Sequence, residues 1–255
     1  MSISDAFLLG IVEGITEFLP ISSTGHLILA SDLLSLPESD FLKTFQIVIQ
    51  LGAIGAITAL YWKKILFDRE VMKRVGVALL PALGVGFLFY NSIRALFESS
   101  LTVVGALFIG GIILILFEIW NERRARERVG LEQLSYGTAL GIGFFQALSV
   151  IPGVSRAGAT ILGGLMFGLK RGAVVEFSFL LAVPTMLAAT TLDLWKHKHL
   201  FSSTELLPLL VGFFTAFGVA VFAVKFLLRY VETHTFIVFG IYRILLATIF
   251  FFFFL

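Results

Sequence analysis

Pro20-Ile21-Ser22-Ser23-Thr24-Gly25-His26 and Pro152-Gly153-Val154-Ser155-Arg156-Ala157-Gly158 interrupt two apolar stretches, 6–30 and 137–169, that otherwise read as continuous membrane helix. Proline brings no amide donor, and glycine beside hydroxyl residues favours turns and caps, so a helix is expected to stop and restart at each place. Both stretches are read as helix-break-helix hairpins that enter and leave the bilayer on the same side. Six further apolar stretches, at about 45–62, 76–92, 101–120, 173–193, 205–224 and 236–255, are separated by short charged loops. A helix needs about 20 residues to cross a ~30 Å hydrocarbon core.

Composition agrees with this pattern. The 255 residues are 58% hydrophobic and 14% charged, whereas soluble domains run near ~45–50% and ~25%. Mean hydropathy is +0.98. With no cysteine and a net charge of only +2, a disulfide scaffold and a nucleic-acid binder are excluded. The isoelectric point near 8.9 therefore says little about partners. No cleavable signal peptide is expected, because no Lys or Arg precedes Lys43, while Asp5, Glu13 and Glu17 do. The expected fold is all-α: one integral-membrane domain over 1–255, with six full transmembrane helices and two re-entrant hairpins.

Lys and Arg collect on the cytoplasmic side of short loops. With 6–30 and 137–169 re-entrant, the loops at 63–74, 121–134, 170–172 and 225–235 share one side and hold 13 of the 19 basic residues, including Arg123, Arg124, Arg126 and Arg128. The opposite loops hold Lys43, Arg94, Lys196 and Lys198, and Arg156 and Arg243 fall inside apolar stretches. Both termini are expected outside.

A shift of 133 residues superimposes the two broken stretches: Gly10 meets Gly143, Glu13 meets Gln146, Ser22 meets Ser155 and Gly25 meets Gly158. Each half, about 1–130 and about 131–255, then holds one hairpin and three crossings. An odd number of crossings inverts the second copy, so the hairpins enter from opposing faces and their tips meet near the midplane, where inverted-repeat membrane proteins place binding sites. Chance likeness between two glycine-rich apolar stretches is the alternative.

Ionisable groups inside a bilayer cost on the order of 3 kcal/mol each on insertion scales, so each needs a reason. Glu13 and Glu17 are four residues apart, on one face of a helix, where like charges repel unless a cation is near. His26 is the histidine inside a broken stretch, and Arg156 the basic residue of either break. A guanidinium in the second tip facing carboxylates and an imidazole in the first removes most of the electrostatic objection. The tips also expose backbone amides at positive helix ends, which bind phosphate, and the planar fork of Arg156 matches phosphate oxygens. This assortment suits phosphoryl transfer. Structural roles compete at every position: helix caps or interhelical hydrogen bonds for Ser22, Ser155 and Thr160, a buried ion pair for Glu13, Glu17 and Arg156, an interior hydrogen bond for His26, helix contacts for Gln46 and Gln50. Arg243 is expected to snorkel or to pair with an unidentified acid. Gly105, Gly110, Gly111, Gly163, Gly164 and Gly168 are read as close helix packing, and the phenylalanines at 250–254 as lipid-facing.

The stretch Gly10-Ile-Val-Glu-Gly-Ile-Thr-Glu-Phe-Leu-Pro-Ile-Ser-Ser-Thr-Gly-His26, together with Pro152-Gly-Val-Ser-Arg-Ala-Gly-Ala-Thr160, closely resembles the two signature motifs of the bacterial undecaprenyl-diphosphate phosphatase family, also called bacitracin-resistance proteins. The resemblance covers essentially the whole chain. It implies a multi-pass plasma-membrane enzyme that removes the terminal phosphate of undecaprenyl diphosphate, recycling the lipid carrier for peptidoglycan synthesis, with the active site opening to the outer, periplasmic side. By motif, the family's acidic pair falls on Glu13 and Glu17, its serine and histidine on Ser23 and His26, and its second-motif residues on Ser155, Arg156 and Thr160. Two departures stand out: Ala157 occupies a position that is commonly Ser, and Gln46 one where many members have an acid.

The expected catalytic set is Glu13, Glu17, Ser23, His26 and Arg156, with substrate contacts from Ser22, Thr24, Gly25, Gly153, Ser155 and Thr160. Ser23 is expected to attack the terminal phosphorus while His26 or Glu17 takes its proton; attack by His26 or directly by water stays open. Glu13 and Glu17 are also able to hold a divalent cation, Mg²⁺ or Ca²⁺, since hard cations prefer oxygen ligands. No organic cofactor and no nucleic acid are expected. The expected partners are a polyprenyl diphosphate and bacterial membrane lipids, and a homodimer is left open. The rival reading is an inverted-repeat transporter or flippase of prenyl phosphate lipids.

Overall fold

The computed structural model describes residues 1–89, 96, 99–123, 128–196 and 205–254. Arg94, Arg124, Arg126 and Lys198, which enter the charge argument, lie outside the described residues. The helices are α1 (Ile3–Thr16), α2 (Ser23–Leu33), α3 (Asp40–Phe67), α4 (Arg69–Leu88), α5 (Ser100–Glu122), α6 (Tyr136–Ala147), α7 (Arg156–Met166), α8 (Arg171–Lys196), α9 (Leu206–Thr233) and α10 (Ile237–Phe254). Single 3₁₀ turns occupy Leu131–Gln133 and Leu148–Val150. Among the described residues there is no strand, only an isolated bridge between Val129 and Leu169.

Local sequence sets most helix starts. Side-chain oxygens of Ser2, Ser39, Asp68, Ser99 and Ser135 accept the backbone N–H three residues on, capping α1, α3, α4, α5 and α6. Both broken stretches are interrupted as the residues foretell, between α1 and α2 and between α6 and α7. Helix ends are a different matter. The stretches at 63–74 and 225–235, expected as loops, are mostly helical, with Lys63 and Lys64 on α3 and Lys225 and Arg229 on α9. Hydropathy marks where the hydrocarbon stops, whereas the backbone ladder runs on until a cap or breaker ends it, here at Asp68 and His234.

Among the described residues, five stretches are long and apolar enough to cross a membrane: α3, α4, α5, residues 171–191 of α8, and α9. Large apolar side chains such as Phe87, Phe222 and Phe253 are exposed on the perimeter, an arrangement suited to lipid and adverse in water. The chain is thus a polytopic membrane protein. Phe250 departs from the lipid-facing expectation and is buried with Val103, Leu107 and Ala247.

The packing is paired. Helix α1 lies along α9, which also packs on α3; α6 lies along α4, which also packs on α8; α5 pairs with α10 and α3 with α8. Glycines permit the first two contacts. A methyl group at Gly10 would stand 2.7 Å from the Gly212 carbonyl oxygen of α9, and one at Gly143 would fall on the Ala78 carbonyl of α4. Gly105, by contrast, faces open space, so its close-packing expectation fails.

Overpacking a close contact costs about 1–3 kcal/mol. Gly10→Leu and Gly143→Leu should each lower the melting temperature in detergent, whereas Gly105→Leu should leave it near wild type. Equal melting of all three variants would contradict the close α1–α9 and α4–α6 approaches.

Candidate active site

The first break begins where α1 ends. Glu13 and Glu17 lie one turn apart at the end of the helix, and both are buried. The chain then turns through Pro20 to Ser22, which has φ +71. That is the left-handed region, costly for a residue with a Cβ and tolerated where the surroundings impose it. Ser22 accepts the Gly25 N–H at 3.4 Å and so caps α2, whose first residue is Ser23. Ser23 donates its hydroxyl to Glu17 Oε2.

The second break is built alike. After the 3₁₀ turn at Leu148–Val150 the chain passes Gly153, at φ +91, and Ser155 accepts the Gly158 N–H at 3.0 Å, capping α7. A Cβ at Gly153 would press on the Val103 carbonyl of α5, so both backbone angle and space require glycine there. Arg156 opens α7.

The two breaks meet through charge. Arg156 Nη2 donates to Glu17 Oε1 at 2.6 Å, and Nη1 donates to the Ser178 carbonyl of α8 at 3.0 Å. Only 12% of the Arg156 side chain and 4% of Glu17 is exposed, so neither charge is left to bulk water. The guanidinium also lies 5.8 Å from the centre of the Phe18 ring, which itself packs edge-on against Phe179. Glu17 therefore joins a serine hydroxyl on one oxygen to a guanidinium on the other. Both oxygens of Glu13 are buried without a hydrogen-bond partner among the described residues. Orphaned oxygens beside a second carboxylate fit a cation or a proton, as the chemistry of the donor set requires. Among the described residues, no three His, Cys, Asp or Glu side chains converge as a complete metal cage.

The remaining expected residues divide. His26 is engaged elsewhere than at Ser23: Nδ1 bonds the Ser22 carbonyl at 2.8 Å and Nε2 bonds the Tyr242 hydroxyl at 2.8 Å, with the two rings stacked at 7°. A carbonyl only accepts, so Nδ1 carries the proton, and in the neutral ring Nε2 accepts from Tyr242. Thr160 is fully buried one turn behind Arg156, bonded to the Arg156 carbonyl and, at 2.6 Å, to Ser178 Oγ. Thr24 is half-buried in the first turn of α2, beside Gly25. Gln46 bonds Ser31 at 3.1 Å, joining α3 to α2.

Three residues near the site carry more than the sequence assigned them. Tyr242 holds His26, Ser178 holds both Arg156 and Thr160, and Arg243 finds no acid among the described residues. It donates instead to the carbonyls of Pro20, Ala106, Leu107 and Gly153. Its intramembrane position was a visible signal, but carbonyl partners leave no trace in side-chain patterns.

Comparison with known proteins follows the same residues. The model of the family described as bacitracin resistance protein BacA matches residues 6–249, a span that takes in both breaks, most of α10 and every site residue named above. The chain belongs to that family. Among BacA relatives, the undecaprenyl-diphosphatase of Wolinella succinogenes is 49% identical over 253 residues, covering 99% of this chain and 98% of the relative. That of Aquifex aeolicus is 47% identical over 252 residues, 98% of each chain. That of Sulfurihydrogenibium sp. is 46% identical over 251 residues, 98% of this chain and 99% of the relative.

Removing one partner of a buried ion pair costs about 3–5 kcal/mol because the other charge is stranded. Arg156→Met in this BacA protein should therefore melt well below wild type, and Arg156→Met combined with Glu17→Gln should recover part of the loss. A single variant as stable as wild type would show that water reaches the pair.

Proposed function

We propose that this protein is an integral-membrane phosphatase that hydrolyses undecaprenyl diphosphate to undecaprenyl phosphate and inorganic phosphate, returning the lipid carrier to cell-wall synthesis and giving bacitracin resistance. One observation carries the reading: the serine–carboxylate–guanidinium chain from Ser23 through Glu17 to Arg156. Full-length relatives with the same printed activity support it.

The diphosphate lies between the two tips and the prenyl chain against apolar helix surface. Ser23 Oγ attacks the terminal phosphorus and passes its proton to Glu17 Oε2, to which it is already bonded. The bond from that phosphorus to the bridging oxygen breaks, and undecaprenyl phosphate leaves. Glu17 hands its proton to the departing bridging oxygen; water then attacks the phosphoserine, giving up a proton to Glu17, which passes it to Ser23 Oγ as the phosphorus–Oγ bond breaks and phosphate departs. Arg156 and the amides at the starts of α2 and α7 stabilise the charge that develops on the phosphoryl oxygens. With Nε2 engaged by Tyr242, His26 is less suited than Glu17 to take the serine proton. Glu13 and Glu17, with substrate oxygens, would hold a divalent cation, Mg²⁺ or Ca²⁺; when bound it supplies neutralising charge.

The arrangement proposed for the membrane is six crossings, α3, α4, α5, α8, α9 and α10, with the paired short helices re-entrant, the halves inverted and the site opening outward. Three features support it: α1 on α9 is matched by α6 on α4, Gly10 by Gly143, and the Ser22–Gly25 cap by the Ser155–Gly158 cap. Glu13, Glu17 and His26 correspond in the second half to Gln146, Val150 and Ala159, and this unequal division of acid and base favours hydrolysis over transport.

Phosphate release from a long-chain prenyl diphosphate in detergent, where no two compartments exist, tests the reading. Wild type should turn over, and Glu17→Gln should lose roughly 10²–10⁴-fold in kcat. Ser23→Ala should lose more activity than His26→Ala. Retention of wild-type rate by Ser23→Ala would reject that nucleophile, and indifference to chelator would reject the cation.

A further inference from the structure

Arg243 is 3% exposed and sits on α10 where that helix meets α5. Its Nε donates to the Leu107 carbonyl at 3.3 Å and Nη2 to Ala106 at 3.1 Å, both on α5. Nη1 donates to Pro20 at 3.3 Å and Nη2 to Gly153 at 3.1 Å. The last two carbonyls belong to the two breaks, where the helical donors that would have paired them are gone. Backbone oxygens inside a bilayer need replacement donors, and one guanidinium serves both.

The choice of acceptors is unusual for this molecule. Arg171 pairs with Glu118 at 2.5 Å, Lys64 with Glu176 at 2.8 Å and Arg156 with Glu17 at 2.6 Å. Arg243 has neutral oxygens alone, and among the described residues no carboxylate lies within ion-pair reach. A buried cation without a counter-ion is adverse in the resting protein and is relieved when an anion arrives nearby. The space for it is reserved on α5: a methyl at Gly110 would fall on Nη2 and stand 2.8 Å from Cζ. Pro20 is three residues from both Glu17 and Ser23, and Gly153 three from Arg156. The guanidinium thus bonds the chain three residues from each partner of the Glu17–Arg156 contact.

We propose that Arg243 is a positioning residue that sets the spacing of the two breaks and, through its unneutralised charge, favours occupation of the gap between them by a diphosphate. This rests on the phosphatase reading for its substrate and on the four carbonyl bonds for its geometry. Arg243→Lys keeps the charge but cannot reach four acceptors. Arg243→Gln loses the charge. Gly110→Ala leaves Arg243 in place and pushes its guanidinium aside.

The measurement is kcat and KM for phosphate release by purified enzyme in detergent, beside pyrophosphate affinity and melting temperature on the same samples. Arg243→Lys and Gly110→Ala should lose at least tenfold in kcat with KM within about threefold of wild type, because positioning is lost and charge kept. Arg243→Gln should lose kcat and also bind pyrophosphate at least tenfold more weakly. Should one variant fail to fold, the other two decide. Wild-type kcat in Arg243→Lys and Gly110→Ala, or a lowered melting temperature with unchanged kinetics, overturns the proposal and leaves a structural clamp. A wild-type protein that releases no phosphate refutes the phosphatase reading instead, and pyrophosphate affinity then still decides the role of the charge.

Discussion

A carboxylate and a guanidinium 139 positions apart in sequence meet inside an apolar protein, and the rest of the site depends on that contact. Either charge alone would be prohibitive in hydrocarbon. Together, with Ser23 on one side of Glu17 and the Ser178 carbonyl on one arm of Arg156, they make a polar core that two separate hairpins must approach each other to complete. The pair therefore does two things: it lets a carboxylate exist away from water, and it ties the first break to the second. Its stability is conditional, since each partner is tolerable only while the other is present.

The second constraint is the backbone. A broken helix leaves N–H and C=O groups unpaired where there is no water to satisfy them. The two tips solve the donor side locally, with Ser22 and Ser155 accepting amides three residues on, and the acceptor side remotely, with Arg243 reaching carbonyls of both tips. The unpaired carboxylate of Glu13 and the strained angle at Ser22 are left over, and both are the kind of unfavourable local feature that is retained where chemistry uses it.

Legibility followed the range of the interactions. Breaks and caps depend on residues within a few positions of one another, so Pro20, Ser22, Gly25, Pro152, Ser155 and Gly158 announced them. The acids and Arg156 were legible as a group because an intramembrane charge demands an opposite. Tyr242 and Ser178 were not, since a tyrosine or a serine in an apolar helix is common and carries no demand of its own. Arg243 was visible as a charge and misread in partner, because the expected answer to a buried cation is an acid and its actual answer is backbone. The overrun of α3 and α9 past their apolar stretches had the same origin, hydropathy reporting on the solvent and not on the hydrogen-bond ladder.

By itself the sequence determined that the chain lives in a membrane, that two of its helices are interrupted, and that buried charges of opposite sign belong to the two breaks. Those properties are written in composition, spacing and local backbone preference. Only tertiary structure decided that Glu17 turns one oxygen to Ser23 and the other to Arg156, that His26 bonds Tyr242, and that Arg243 binds both breaks. Such choices depend on directions in space between segments far apart along the chain, and helix packing sets those directions.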